Sequence, residues 1–201
     1  MFCYQCQETA KNTGCTKQGV CGKDPQLAKE LDNLVFECQE LSTLNHQLRL
    51  HKQDDLQASR MITEALFTTI TNSNFDKESV KTKIQYIRDK KHELKTRAHE
   101  NNIPIQHLKL TFLPPILGQS SILTEQDQDI RSLKQLIIYG LKGVAAYTSH
   151  AQRLGYEDNA IYSNLEEALS FTRKKETSKE QLLNWVKGVG ELGIKAMHLL
   201  D

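Results

Sequence analysis

The 201-residue chain has few aromatic residues, 6% of the total, with Trp185 its single tryptophan. Four prolines and ten glycines give it few places to break, and Leu, Lys, Gln and Glu dominate, a composition that favours helix. No excess of charge exists either. Lys plus Arg number 26 against 25 for Asp plus Glu, so there is no electrostatic case for nucleic acid or an anionic membrane surface. No apolar run approaches the roughly 20 residues that span a bilayer. No cysteine follows Cys38, which removes a disulfide framework spread through the fold.

What is present is concentrated at the beginning. Four of the five cysteines, Cys3, Cys6, Cys15 and Cys21, lie in the first 21 residues. Two bridges within so short a stretch are one way to use them. A metal site is the better one, because a chain of this length builds its own core without such staples. Four thiolates suit either tetrahedral zinc or an iron–sulfur cluster, both being soft centres. Cys-x2-Cys followed by Cys-x5-Cys departs from the short paired knuckles of structural zinc. The longer intervals Gln7–Gly14 and Thr16–Val20 let the chain wrap a wider centre, which favours a cluster. The motif begins at residue 3 and leaves no room for a basic, then apolar leader, so a cytoplasmic location is expected.

The flanking residues fit an anionic group. Lys11, Lys17 and Lys23 outnumber Glu8, and ammonium groups with loop amides stabilise the net negative charge of a thiolate-ligated cubane. Gly14, Gly19 and Gly22 flank ligands and allow tight turns that bring N–H groups near sulfur. The same residues also suit an ordinary solvated loop.

The runs Met1-Phe-Cys-Tyr-Gln-Cys-Gln-Glu-Thr-Ala10 and Gly14-Cys-Thr-Lys-Gln-Gly-Val-Cys-Gly-Lys23 resemble the amino terminus of the hybrid cluster proteins, also called prismane proteins or hydroxylamine reductases. Similar stretches continue at Glu64–Asn72, Asn74-Phe-Asp76, Ser132-Leu-Lys, Tyr139–Tyr147, Gly155-Tyr-Glu-Asp158 and Met197–Asp201. The resemblance implies that Cys3, Cys6, Cys15 and Cys21 hold a [4Fe–4S] cubane. Members of that family are more than twice as long, and their second, hybrid cluster is held by a His, two Glu and several Cys beyond the point where this sequence stops. It therefore implies an electron-transfer part without the catalytic half, inactive alone, whose partners are a redox donor protein and the hybrid-cluster half of a longer enzyme.

The rest reads as an all-α protein, two three-helix bundles related by internal duplication behind the Cys-rich loop of residues 1–23. The first bundle, 24–101, opens at Asp24-Pro25, a cap and a first-turn proline, and carries Leu27, Leu31, Leu34, Val35, Cys38, Leu41 and Leu44 to about Leu50. A second helix runs from about Asp54 to Ile70, and a third from the cap Asp76 to about Glu100, with Val80, Ile84, Ile87, Lys91 and Leu94 at helical spacing. Residues 102–127, with Pro114-Pro115, form an apolar connector expected to pack across the bundles, a β-hairpin being the lesser alternative. The second bundle, 128–201, places helices near Gln128–Leu154, Asp158–Arg173 and Ser178–Leu200. An offset of about 102 sets Leu31, Leu34 and Val35 against Leu133, Leu136 and Ile137; Glu64-Ala-Leu66 falls against Glu167-Ala-Leu169 at 103, and Asp76-Lys-Glu78 against Ser178-Lys-Glu180.

Other residues are assigned no chemistry. Cys38 sits on an apolar helix face and reads as core. The seven histidines lack metal-ligand pairing, and the helical register of Trp185, Tyr139 and Tyr147 points to core. Gly140, Gly143, Gly188, Gly190 and Gly193 each cost about 1 kcal/mol in a helix interior, for which close helix crossing is the expected compensation. Two other functions remain open: a zinc-stabilised interaction module, and a sensor whose cluster responds to oxygen or nitric oxide.

Overall fold

A computed structural model describes residues 1–6, 11, 13–112 and 122–201. Among these lie six α-helices: α1 (Pro25–Leu50), α2 (Leu56–Thr68), α3 (Lys77–Glu100), α4 (Gln128–Arg153), α5 (Asn159–Phe171) and α6 (Lys179–Leu200). Each starts where a short polar side chain accepts from otherwise unpaired first-turn N–H groups. Asp24 accepts from Leu27, Asp55 from Ala58, Asp76 from Glu78 and Ser79, Asp127 from Asp129 and Ile130, and Asp158 from Ala160. At α6, Ser178 and Gln181 form a reciprocal capping box.

The caps set the internal repeat. Asp24 and Asp127 are 103 residues apart, as are Asp55 and Asp158, while Asp76 and Ser178 are 102 apart. Burial agrees: Leu34 with Ile137, Cys38 with Leu141, Leu41 with Val144 and Leu48 with Ala151 in α1 and α4, then Val80 with Leu182, Ile87 with Val189 and Leu94 with Ala196 in α3 and α6. The pairing of Leu34 with Leu136 therefore shifts by one residue, because Leu136 is exposed where Leu34 is sealed.

Packing follows the repeat. Helix α1 lies against α2 and α3 as α4 lies against α5 and α6, and the triads also meet reciprocally, α1 on α5 and α2 on α4. One apolar core thus runs through both. Within it, sealed leucines such as Leu34, Leu41, Leu44 and Leu48 each contribute roughly 1.5–3 kcal/mol by burial.

The first part of the connector does pack across the helices. Ile103 and Ile105 are buried, and Leu108 and Leu110 lie on the core. Residues 103–112 contain no strand. Pro114-Pro115, Ile116 and Leu117 lie outside the described residues.

Polar side chains join the triads. Glu166 of α5 accepts from Asn45 (3.0 Å), Ser59 (2.5 Å) and Arg49 (3.1 Å) of the first triad. Gln39 donates to Thr172 at 2.8 Å, and the buried Lys142 Nζ donates to the Thr69 carbonyl at 3.0 Å.

Candidate metal centre

The amino-terminal segment folds on itself through an isolated antiparallel bridge between Cys3 and Cys15. Phe2 N–H donates to the Cys15 carbonyl and Cys15 N–H to the Cys3 carbonyl, both at 2.8 Å. Two of the four candidate ligands are thereby set opposite each other on paired backbone. Cys15 is buried, while Cys3, Cys6 and Cys21 are partly exposed, and none of the cysteines is in a disulfide. Among the described residues, no three His, Cys, Asp or Glu side chains converge in a metal-holding arrangement. Gln7, Glu8, Thr9, Ala10 and Asn12 lie outside them.

The glycines act as expected at all three positions, Gly22 turning at φ of +92°. Gly14 has φ of +123°, and a Cβ there would also meet the Met1 Sδ at 2.2 Å. At Gly19 a Cβ would stand 3.1 Å from the Cys21 sulfur and 3.0 Å from the Lys23 carbonyl, which Gly19 N–H itself reaches at 2.7 Å. The turn carrying Cys21 is thus closed around a residue without a side chain.

Electrostatics favour an anionic occupant. Burial pushes the Cys3 thiol up, against the Gln5 N–H and the Lys23 charge, which pull it down. Both Lys23 and Lys142 are buried. Burial holds the Lys142 ammonium down, to about 8, with Lys23 adding repulsion and Asp32 and Cys3 opposing. A hollow of about 430 Å³ opens beside this loop, where Gln5 shares walls with Asp32 of α1, Lys134 and Lys142 of α4, and Arg173. The unbridged thiols, with Cys3 in electrostatic reach of the buried Lys23 and Lys142, suit the anionic, thiolate-ligated core of an iron–sulfur cluster.

Cys38 is sealed in the core, as its register indicates, and burial holds its thiol far above the ordinary range. Trp185 packs tilted on Phe171 with ring centroids 5.4 Å apart, within the range of favourable aromatic pairs. Tyr139 and Tyr147 depart from expectation: both stand on the exposed side of α4. Lys142 escaped sequence reading altogether, since a lysine in a helix carries no local sign of burial.

The whole chain, residues 1–201, matches the Prismane/CO dehydrogenase family, and the protein belongs to it. Proteins of the prismane family bind iron–sulfur clusters. The chain is 39% identical over 209 residues to a hydroxylamine reductase of Bacteroides fragilis strain YCH46, with all of this chain and 38% of the relative covered. It is 42% identical over 210 residues to one from Porphyromonas gingivalis strain ATCC 33277, again with 100% and 38% covered. For one from Petrotoga mobilis the figures are 35% over 218 residues, with 100% and 40% covered. The chain thus spans about two fifths of the length of these relatives and corresponds to their amino-terminal domain. No helix among the described residues is long and apolar enough to cross a membrane.

Proposed function

We propose that this chain is the iron–sulfur electron-transfer domain of a hydroxylamine reductase-like protein, with Cys3, Cys6, Cys15 and Cys21 holding a [4Fe–4S] cluster. The observation that carries this reading is an unbridged four-thiol segment in which Cys3 is paired with Cys15 on bridged backbone and lies in electrostatic reach of the buried Lys23 and Lys142. When bound, such a cluster supplies one-electron redox chemistry. The chain's own residues supply charge and shape. Lys23 and Lys142 offset negative charge, and Gly14 and Gly19 let the backbone close on the ligands.

Four thiolate ligands leave no open coordination position for a substrate. Substrate reduction therefore falls to the remainder of a longer protein, fed by a separate redox donor, in a reducing cytoplasm that keeps the thiols unbridged.

Protein prepared anaerobically is expected to hold about four iron and four sulfide per chain and to show broad visible absorption that bleaches on reduction. Stoichiometric zinc in iron-replete anaerobic preparations, with no reconstitution by iron and sulfide, would overturn the reading in favour of a structural zinc module. Cys15→Ala is expected to abolish the cluster and Cys38→Ala to leave it. With reduced viologen and hydroxylamine, the 201-residue chain should form no ammonia beyond a free-cluster control.

A further inference from the structure

The two triads differ most on one face. On α4 and α6 six large apolar residues, Leu136, Tyr139, Tyr147, Leu183, Ile194 and Met197, are each 41–59% exposed. Their spacings, three or four residues or a sum of these, make one stripe on each helix. The helices touch where Gly140 meets Val189, whose Cγ1 would stand 2.6 Å from a Cβ at position 140. Beside that contact, Cβ atoms at Gly143, Gly190 and Gly193 would meet nothing within 4 Å among the described residues. The result is a line of exposed apolar residues on either side of the α4–α6 seam, with Lys187 the one charged residue in the α6 stripe.

The first triad shows what covers such a face. There the segment that follows α3 turns back over the α1–α3 seam. The Thr111 carbonyl accepts from Lys91 at 2.9 Å, Thr111 N–H donates to Glu40 at 2.8 Å, and the Phe112 ring lies on His92, with Lys95 Nζ 4.2 Å from its centroid. In the 102-residue register of α3 and α6, Lys91, His92 and Lys95 correspond to Gly193, Ile194 and Met197. Positions that residues 111–112 contact in the first triad are thus occupied in the second by a glycine and two exposed apolar side chains, Ile194 and Met197. In the longer relatives more chain accompanies the matched region, which is only 38% of the whole in Bacteroides fragilis.

We infer that the α4–α6 face is a docking surface for the polypeptide that follows the matched region in the full-length relatives, laid over α6 as residues 111–112 are laid over α3. The occupant contacts an apolar, glycine-lined seam. It is therefore an apolar segment whose main chain or side chains fill the space above Gly143, Gly190 and Gly193, where the first triad has charged groups. The inference rests on this chain working as part of a longer protein and is independent of which metal the cysteines hold.

Hydroxyl-radical footprinting tests it, with Met197, Tyr139 and Tyr147 as probes on the face and Tyr86 and Tyr156, exposed elsewhere, as controls. The 201-residue chain is compared with a longer chain in which it is joined to the remainder of the Bacteroides fragilis relative. Several-fold protection of the three probes in the longer chain, with the controls unchanged, is the expected result. Equal labelling in both chains overturns the inference. So does concentration-dependent protection in the 201-residue chain alone, which assigns the face to a second copy.

A second measurement needs no longer chain. Gly143→Leu with Gly193→Leu should leave the Tm of the 201-residue chain unchanged or raised, because the space is open and leucine favours helix. A marked fall would show that the chain's own residues fill the seam and would overturn the inference. Metal content of each sample, read in parallel, reports separately on the cluster assignment.

Discussion

The seam between α1 and α3 and the seam between α4 and α6 occupy the same place in the repeat and are filled by opposite chemistry. Glu37 and Glu40 of α1 face Arg88 and Lys91 of α3: Arg88 donates to Glu37 at 2.7 Å, and Lys91 reaches Glu37 at 2.5 Å and Glu40 at 2.7 Å. Arg173, just after α5 in the second triad, adds a 2.6 Å contact to Glu40. The corresponding residues of the second triad are Gly140, Gly143, Gly190 and Gly193. Four charged side chains on one seam thus become four absent side chains on the other. A buried ion network demands fixed partners and gives little net stability over an apolar filling, but it holds its members in one geometry. A glycine seam gives up about 1 kcal/mol of helix propensity per residue and is left open to another chain. The first seam is closed within the chain, and the second is built to be closed from outside.

The largest test breaks the closed seam. Lys91→Met removes the cation between two sealed carboxylates, and losing one partner of a buried ion pair costs about 3–5 kcal/mol. Urea denaturation should show that loss, with visible fraying of residues 108–112 in hydrogen exchange, since Thr111 is held by Lys91 and Glu40. A loss below about 1 kcal/mol would mean that the network is solvated and that the contrast between the seams is smaller than argued.

Next in size is the contact between triads. Glu166→Gln keeps the volume but weakens the bonds from Asn45, Ser59 and Arg49, a loss of about 1.5–3 kcal/mol for hydrogen bonds to a charged group. Burial raises the Glu166 carboxyl above its ordinary value, the three donors opposing only in part. The native state therefore binds this proton more tightly than the unfolded chain does. Its contribution is fully present below the ordinary carboxylate range and declines as pH rises through the folded value. Wild type should accordingly gain on Glu166→Gln as pH falls toward the ordinary carboxylate range in paired urea titrations. A gap that narrows would contradict the burial-dominated environment.

Glu166 also marks where the sequence stops being readable, whereas the burial of Lys91 follows its helical register. The six helices are legible because their signals are local: Asp24-Pro25 starts α1, Ser178 with Gln181 starts α6, and apolar spacing carries each inner face. The cysteines are legible as chemistry for the same reason, being crowded into one segment. Glu37, Glu40 and Glu166 are not legible as buried, because their partners lie 51 to 133 residues away. Tyr139 and Tyr147 fail differently. Helical periodicity marks an apolar face but not what covers it, so a surface left bare in the isolated domain reads as core. Close crossing explains Gly140 alone among the glycines singled out in α4 and α6.

The finest test separates those glycines. At Gly140 an added methyl would stand 2.6 Å from the Val189 Cγ1, on two packed helices that cannot both yield, so Gly140→Ala should overpack the seam and cost about 1–3 kcal/mol. At Gly190 the same methyl meets nothing within 4 Å among the described residues. Gly190→Ala should instead stabilise the 201-residue chain by about 0.5–1 kcal/mol through helix propensity and the lower entropy of the unfolded chain. Thermal melts of the two variants should move in opposite directions from the wild type. If both fell, the space over Gly190 would already be occupied within the chain; if both rose, α4 and α6 would not be in close contact at Gly140, and the open seam would extend along the whole helix pair.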